Sequence, residues 1–432
     1  MKIGSFVPEQ AKTSLYAMAG DDCSLHHDLS ELTPKQQYDH WENQVLTCAL
    51  QVALNGLGKP QDYVAMATPF VEPVWADLLT HYRAMFESMG LGIVARDHLS
   101  FHDLDAFYPS VAKTLPEVEL VNLYMFSGSN AVLHQNEQAY SISRNVNSKL
   151  HFALNAPSAG IPVPQTEIYT KGALRDGKAS AFFDSHPEGL MVKLLGLAGA
   201  RNVFRATDLS ECLSLIDEYD DTVEVLLQEI LQADQWQEMT VDLTVTPESV
   251  EISNVRQILF AGGVWVGNYI SGDLPLPPEH QRTLVAVGEY ARAQGYVADE
   301  GVNCGVDYFI NGDDVIVTEI NARWTGGLFP TEFLRRLGIA ESAVAFFDMV
   351  QVDDLERIKG FQLAHLHPQI HSSFAYVPMG FTPFKVDVDG AERCFLWQLV
   401  VGDFAAFISA RNEQLSGDIF PTATLILEEA LA

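Results

Sequence analysis

Gly-Val-Asp-Tyr-Phe-Ile-Asn-Gly-Asp-Asp-Val-Ile-Val-Thr-Glu-Ile-Asn-Ala-Arg-Trp-Thr-Gly-Gly, residues 305 to 327, reads as two strands joined by a turn. Val306 to Ile310 and Val315 to Ile320 are apolar, β-branched runs. Asn311-Gly312-Asp313-Asp314 between them is turn chemistry, because Asn and Gly accept positive φ. Strand side chains alternate in direction, so Glu319 and Asn321 share a face, and Asp307 on the partner strand can point to it. Asp, Glu and Asn at one spot are hard oxygen ligands, the set that suits Mg²⁺. Two carboxylates ~4 Å apart repel by roughly 4 kcal/mol at an effective dielectric of ~20, so a fold that keeps the pair needs a cation or a proton between them. Asp313 and Asp314 read as solvated turn acids.

The chain around this hairpin has 432 residues, long enough for two or three domains. Its 47% hydrophobic and 19% charged residues fit a folded protein. No apolar run reaches membrane-spanning length, and the N-terminus lacks a signal-peptide core. A cytoplasmic setting is expected, with no membrane partner. The 57 acidic and 26 basic residues give a net charge of −31, which argues against a nucleic-acid partner. Cys23, Cys48, Cys212, Cys304 and Cys394 are odd in number and scattered, which favours neither a disulfide framework nor a zinc site. Cys304 is read as a core residue ahead of a nucleophile.

Residues 1 to 125 read as alternating strands and helices, hence a helix-covered parallel sheet. Strands are expected at Lys2 to Val7, Asp62 to Ala67, Gly92 to Ala95 and Val118 to Phe126, with helices at Asp39 to Leu54 and Val74 to Met89. His26-His27 is read as loop. Beyond it, strands are expected at 165 to 169, 189 to 193, 223 to 231, 237 to 245 and 249 to 257, with the last two forming a hairpin. Helices are expected at 279 to 294 and 332 to 349, and a strand at Leu396 to Val401. His365, His367 and His371 read as packed or solvated histidines ahead of a metal set.

A net-acidic chain must hold any triphosphate with a local cluster of cations and backbone amides. Lys149 lies early in a helix, and Lys193 ends a strand before a loop bearing Gly196 and Gly199, a sensible phosphate cradle. Gln228-Glu229-Ile230-Leu231 ends a strand in an irregular linker, where free backbone groups suit an adenine edge. Glu238 beyond it can accept from ribose hydroxyls. Arg256 lies on a half-buried strand and Arg323 two residues past Asn321, and both can grip carboxylate or phosphate.

In this order the pieces resemble the ATP-grasp superfamily of ligases over roughly residues 126 to 350. Asn147-Ser148-Lys149-Leu150 with Gly160-Ile161-Pro162-Val163-Pro164 resembles the first phosphate lysine and the approach to a small lid subdomain. Leu190-Met191-Val192-Lys193 and residues 196 to 203 resemble the second lysine and the glycine loop, which would close and exclude water. Residues 226 to 231 resemble the adenine hinge, and 238 to 241 the ribose segment. Gly305-Val306-Asp307 and Glu319-Ile320-Asn321-Ala322-Arg323 resemble the Mg²⁺ signature. The departures are Gln228 where an acid is usual, Ala198, Ala200 and Arg201 in the glycine loop, and Asn-Ala-Arg in place of Asn-Pro-Arg.

The resemblance implies an α/β (α+β) ATP-grasp fold behind an N-terminal Rossmann-like α/β domain. The expected division is 1–125, 126–228 including the lid, and 229–432 with a C-terminal extension. It implies ATP and Mg²⁺, with Mn²⁺ as an alternative ion, and small-molecule carboxylate and amine substrates. A carboxylate would be joined to an amine through an acyl phosphate, with an amino acid or short peptide as substrate and a homodimer as one assembly option. Lys149 and Lys193 would hold α- and β-phosphates, and Gly196, Gly199, Gln228, Glu229, Leu231 and Glu238 would surround the nucleotide. Asp307, Glu319 and Asn321 would hold metal. Arg323 would face the transferring phosphoryl group and Arg256 the carboxylate substrate. A kinase-like or a non-catalytic homologue is the alternative.

Overall fold

The structure is a computed structural model that describes residues 2–3, 12–196, 202–261, 264–368, 373–415 and 419–431. Its described strands form three sheets. The first holds β1 (Lys2–Ile3), β2 (Ser14–Ala17), β3 (Tyr63–Ala67), β4 (Leu99–His102) and β5 (Leu120–Leu123), all parallel, in the order β1-β5-β2-β3-β4. The chain runs from β2 through β3 to β4 on one side and returns with β5 on the other. The order therefore reverses between β2 and β5, the position where open α/β sheets bind ligands beyond their strand C-termini. Two loops meet there, at 18–21 and 124–130.

The helix Pro34–Leu57 packs along this unit. It starts with a capping box in which the Thr33 hydroxyl accepts from the Gln36 amide at 3.3 Å, while the Gln36 side chain accepts from the Thr33 amide at 2.9 Å. Thr33 and Gln36 place the start of this helix five residues before the expected one. The expected strand at Gly92 to Ala95 is irregular backbone; the chain joins the sheet slightly later, as β4. Ser14–Ala17, near the sheet centre, carries no alternation because it is buried on both faces, which is why periodicity does not reveal it.

The second sheet is antiparallel, with β6 (Thr166–Thr170), β7 (Leu190–Lys193), β8 (Val203–Ala206) and β9 (Glu224–Glu229) in the order β6-β9-β7-β8. It encloses its own apolar cluster, including Leu174, Phe182, Leu190, Val192, Val225 and Leu227.

The third sheet carries the hairpin. Its strands are β10 (Gln237–Val245), β11 (Val250–Ala261), β12 (Val264–Ile270), β13 (Val302–Asn311), β14 (Asp314–Asn321), β15 (Ala343–Gln351), β16 (Phe374–Phe381), β17 (Val386–Val388) and β18 (Ala391–Gly402). The order is β14-β13-β10-β11-β12-β15-β18-β16, with β17 paired to β18. One apolar cluster joins Leu15 and Ala17 of β2 to Met239, Val241, Val306 and Val317 of this sheet, so the first and third sheets share a core.

The helix expected over 332 to 349 is corrected here. A helix does form at Leu328–Leu337, but Gly338 at φ +66° stops it and the chain turns into β15. Ala-Val-Ala-Phe-Phe in β15 is nearly all buried, a pattern that periodicity alone cannot separate from a buried helix. Among the described residues no helix is long and apolar enough to cross a membrane.

Candidate active site

The β13–β14 register sets Asp307 directly opposite Glu319 and Gly305 opposite Asn321, with a bulge just after Asp307. The bulge and the pleat bring the three polar side chains to one place: the Asn321 amide donates to Asp307 at 2.9 Å. Lys149, first residue of the helix Lys149–Asn155 capped by Ser148, reaches in and pairs with Glu319 at 3.2 Å. Burial pushes the Asp307 carboxyl up to about 6, and Glu319 pushes the same way, against a hydrogen bond from Thr240. Burial also acts on Glu319, but Lys149, Arg323 and Lys193 outweigh it and hold that carboxyl below its ordinary value.

Lys193 arrives from the second sheet at the end of β7, where its ammonium donates to the Gln228 amide oxygen at 2.7 Å. Gln228 on β9 is buried and also donates to the Thr166 hydroxyl at 3.0 Å. Its neighbour Glu229 turns away and accepts from the Gln165 amide at 2.8 Å. Leu231 is half-buried just past the end of β9. Glu238 on β10 is half-buried, and burial, then Asp307, push its carboxyl up to about 7. Gly196 has φ +115°, and a Cβ there would run into the His27 ring, whose Nε2 lies 3.0 Å from the Leu195 carbonyl. Gly199 and Arg201 lie outside the described residues, as does His371.

Arg323 binds across the junction between sheets. Its Nε donates to the Tyr124 hydroxyl at 3.0 Å and pairs with Asp22 at 3.1 Å, and its Nη1 donates to the Asn321 amide oxygen. Asp22, His26, Asn147, Lys149, Glu319, Gly196 and Arg323 line one cleft. Arg256 is not on that wall. It is 1% exposed, paired at 2.5 Å with the fully buried Asp242, which also accepts from Asn303 at 3.0 Å and Thr325 at 2.9 Å. Gly327 makes room for it, since a Cβ there would collide with the guanidinium.

Sequence reading did not pick out Asp22, set His26 aside as loop, and quoted Asn147 only within the Lys149 motif. Asp22 and His26 sit in the short helix Asp22–His26 at the strand-order reversal, and their weak signal was an acidic and histidine-bearing loop after a strand. Burial, then His27, Arg144 and Lys149, push the His26 imidazole down to about 3, so the ring faces the cleft uncharged. Cys304 is fully buried and burial raises its thiol above its ordinary value, which removes it as a nucleophile.

The donor set fits a hard divalent ion. Asp307 and Glu319 are a cross-strand carboxylate pair; burial, and after it Glu319, raise the Asp307 carboxyl, and a cation would offset both. Among the described residues no three His, Cys, Asp or Glu side chains gather as a metal set, so the Asn321 amide would complete this one. Lys193 adds a pH signature. Burial, then Lys149, lower its ammonium to about 8. Above that pH the free protein loses the charge, whereas bound phosphates would restore it by drawing in a proton. If the cleft turns over ATP, kcat/KM for ATP should fall about tenfold per pH unit above pH about 8, a limb that Lys193→Arg moves upward. A pH–rate profile checks this, and an unchanged limb in Lys193→Arg counts against it. The same shift makes folding more favourable as pH rises from about 8 toward the ordinary lysine value, because the unfolded chain keeps its proton longer.

No protein-family model matches the chain, and a search of curated proteins finds no match. Solved structures do match. N5-carboxyaminoimidazole ribonucleotide synthetase from Thermus thermophilus is 10% identical with a TM-score of 0.55, over 93% of this chain and 99% of that one. The biotin carboxylase domain of 2-oxoglutarate carboxylase from Hydrogenobacter thermophilus, complexed with MgADP and bicarbonate, is 12% identical with a TM-score of 0.58, over 98% and 95%. Phosphoribosylamine–glycine ligase from Thermotoga maritima is 12% identical with a TM-score of 0.51, over 93% and 96%. At such identities the likeness establishes the fold.

Proposed function

We propose that this chain, which has the ATP-grasp fold, is an ATP-dependent ligase that joins a carboxylate to an amine through an acyl phosphate. The carboxylate donor is an amino acid or a short peptide. The observation that carries this reading is that Lys149, Glu319 and Arg323 line one cleft, with Asn321 bonded to both Arg323 and Asp307 and with Lys193 close enough to Lys149, Glu319 and Asp307 to feel their charges. We assign the second sheet, with its separate core, to a lid subdomain within 126–228, between an N-terminal domain at 1–125 and a large subdomain at 229–432.

Lys149 and Lys193 are placed to hold phosphate oxygens, and Glu238 to accept from ribose hydroxyls. Gln228, with backbone at Glu229 and Leu231, would meet the adenine edge. Asp307, Glu319 and Asn321 would hold Mg²⁺, which supplies charge neutralisation to the phosphate oxygens when bound. A carboxylate oxygen of the substrate attacks the γ-phosphorus, and the bond to the β-phosphate oxygen breaks with its electron pair leaving on ADP. Arg323 faces the dispersed negative charge of that transfer. The amine nitrogen then forms the C–N bond, the acyl C–O bond breaks, and phosphate leaves with the pair. A proton from the nitrogen goes to solvent.

Pairs of proteinogenic L-amino acids, supplied with ATP and Mg²⁺, should release ADP and phosphate and give a condensed product by mass spectrometry. AMP with pyrophosphate, or a phosphorylated hydroxyl product, would overturn the reading.

A further inference from the structure

We infer that the cleft beside the loop after β2 docks the nitrogen of the amine substrate in its ammonium form, held by Asp22 and by the amide oxygen of Asn147, and that this nitrogen gives one proton to solvent before it attacks and a second as the amide forms. This rests on the ligase reading and adds to it the charge class of the nucleophile.

Both residues line the same cleft as Arg323, Lys149 and Glu319. The Asp22 carboxylate is fixed from two directions. Asn43 donates to Oδ2 at 3.1 Å, and Arg323 pairs with Oδ1 at 3.1 Å. A carboxylate offers about four lone-pair sites, so acceptor capacity remains beside the group that faces the transferring phosphoryl. The loop beneath is rigid. Asp21 is fully buried and accepts from Tyr108 at 2.5 Å, Ser127 at 2.9 Å, Ser129 at 2.9 Å and Asn130 at 3.1 Å, which ties the β2 loop to the β5 loop.

Asn147 supplies the second, independent observation. It is 7% exposed, and its Nδ2 donates to the Ser143 carbonyl at 2.8 Å and the Ala322 carbonyl at 3.2 Å. Those bonds fix the amide, yet its buried Oδ1 has no hydrogen-bond partner. An unmet buried acceptor is costly, and a ligand donor at that point relieves it. A carboxylate and an amide oxygen are both acceptors, so they select a group that only donates. An ammonium is such a group. The loops at 18–27 and 124–130 contain no Lys or Arg, and the cations that do line the cleft, Arg323 and Lys149, are already paired with Asp22 and Glu319. The cleft also lies where the strand order reverses.

The test uses two nucleophiles of different charge. The parent protein is given ATP, Mg²⁺ and the proteinogenic L-amino acids as acyl donors, with hydroxylamine, uncharged at neutral pH, competing against the amino acids' own ammonium groups. Dipeptide and hydroxamate are both quantified. In Asp22→Asn the dipeptide-to-hydroxamate ratio should fall roughly 10- to 100-fold, the span of one charge-assisted hydrogen bond. Asp22→Glu, which keeps the charge, should recover the ratio to within about 3-fold. If both products fall together in Asp22→Asn at an unchanged ratio, Asp22 only positions Arg323 and the inference is wrong. Hydroxamate without dipeptide from the parent protein overturns the inference and leaves the ligase reading standing. Neither product from the parent protein overturns both.

Discussion

Glu319→Gln should leave a folded chain whose ATP turnover is lower by roughly 10³-fold or more, the scale of several kcal/mol of lost charge stabilisation in phosphoryl transfer. The shape of the side chain survives, so the loss isolates the charge. Glu319 faces Asp307 across the hairpin and pairs with Lys149 at 3.2 Å. Replacing it removes both the repulsion toward Asp307 and the attraction toward Lys149, so the effects on the free protein oppose each other. Circular dichroism and melting should therefore change little while turnover collapses. Substantial turnover in a well-folded Glu319→Gln protein would remove Glu319 from the metal set, and with it the divalent-ion reading of the hairpin.

The second large effect is on stability. Arg256→Met should destabilise the chain by about 3–5 kcal/mol, because it leaves the Asp242 carboxylate fully buried without its ion partner. At ~2–4 °C per kcal/mol, melting should shift down by roughly 6–20 °C. Burial works against the Asp242 charge, but Arg256, Asn303 and Thr325 outweigh it and hold the carboxyl below its ordinary value. A depressed carboxyl adds stability at neutral pH that is lost as pH falls through its folded value, so the gap between parent and variant should narrow in acid. A double replacement, Arg256→Met with Asp242→Leu, should recover part of the loss. Had Arg256 met the substrate carboxylate as the sequence suggested, turnover would drop at an unchanged melting temperature. That pattern is the one that would sink the structural role.

The legible parts of the sequence are those whose chemistry is local. Asp307, Glu319 and Asn321 lie on adjacent strands joined by a tight turn, so the alternation of side chains predicts their meeting without any knowledge of the rest. Lys149 and Lys193 were visible because one lies early in a helix and the other ends a strand before a glycine-bearing loop. Asp22 was not visible, and Asn147 was seen only as part of the Lys149 motif. Their roles come from the meeting of the β2 loop, the start of the Lys149–Asn155 helix and the residue after β14, which only tertiary packing creates. Arg256 shows the converse. Its strand was correctly read as half buried, but nothing near it in sequence announces the Asp242 carboxylate on the neighbouring strand that claims its guanidinium. β15 was lost to helix because a strand buried on both faces has no period to read.

The ion pair between Lys149 and Glu319 has a thermodynamic consequence. On the ligase reading, nucleotide arriving alone would draw Lys149 toward phosphate and leave the half-buried Glu319 beside Asp307 with one cation fewer. Metal arriving alone would take Glu319 and leave Lys149 without its anion beside Lys193. Each ligand removes the penalty the other would meet, so their affinities are linked, and by the same factor in both directions. On the ligase reading, the ammonium would hold the ion's place in the free protein, and the site would exchange it for metal and triphosphate as one unit.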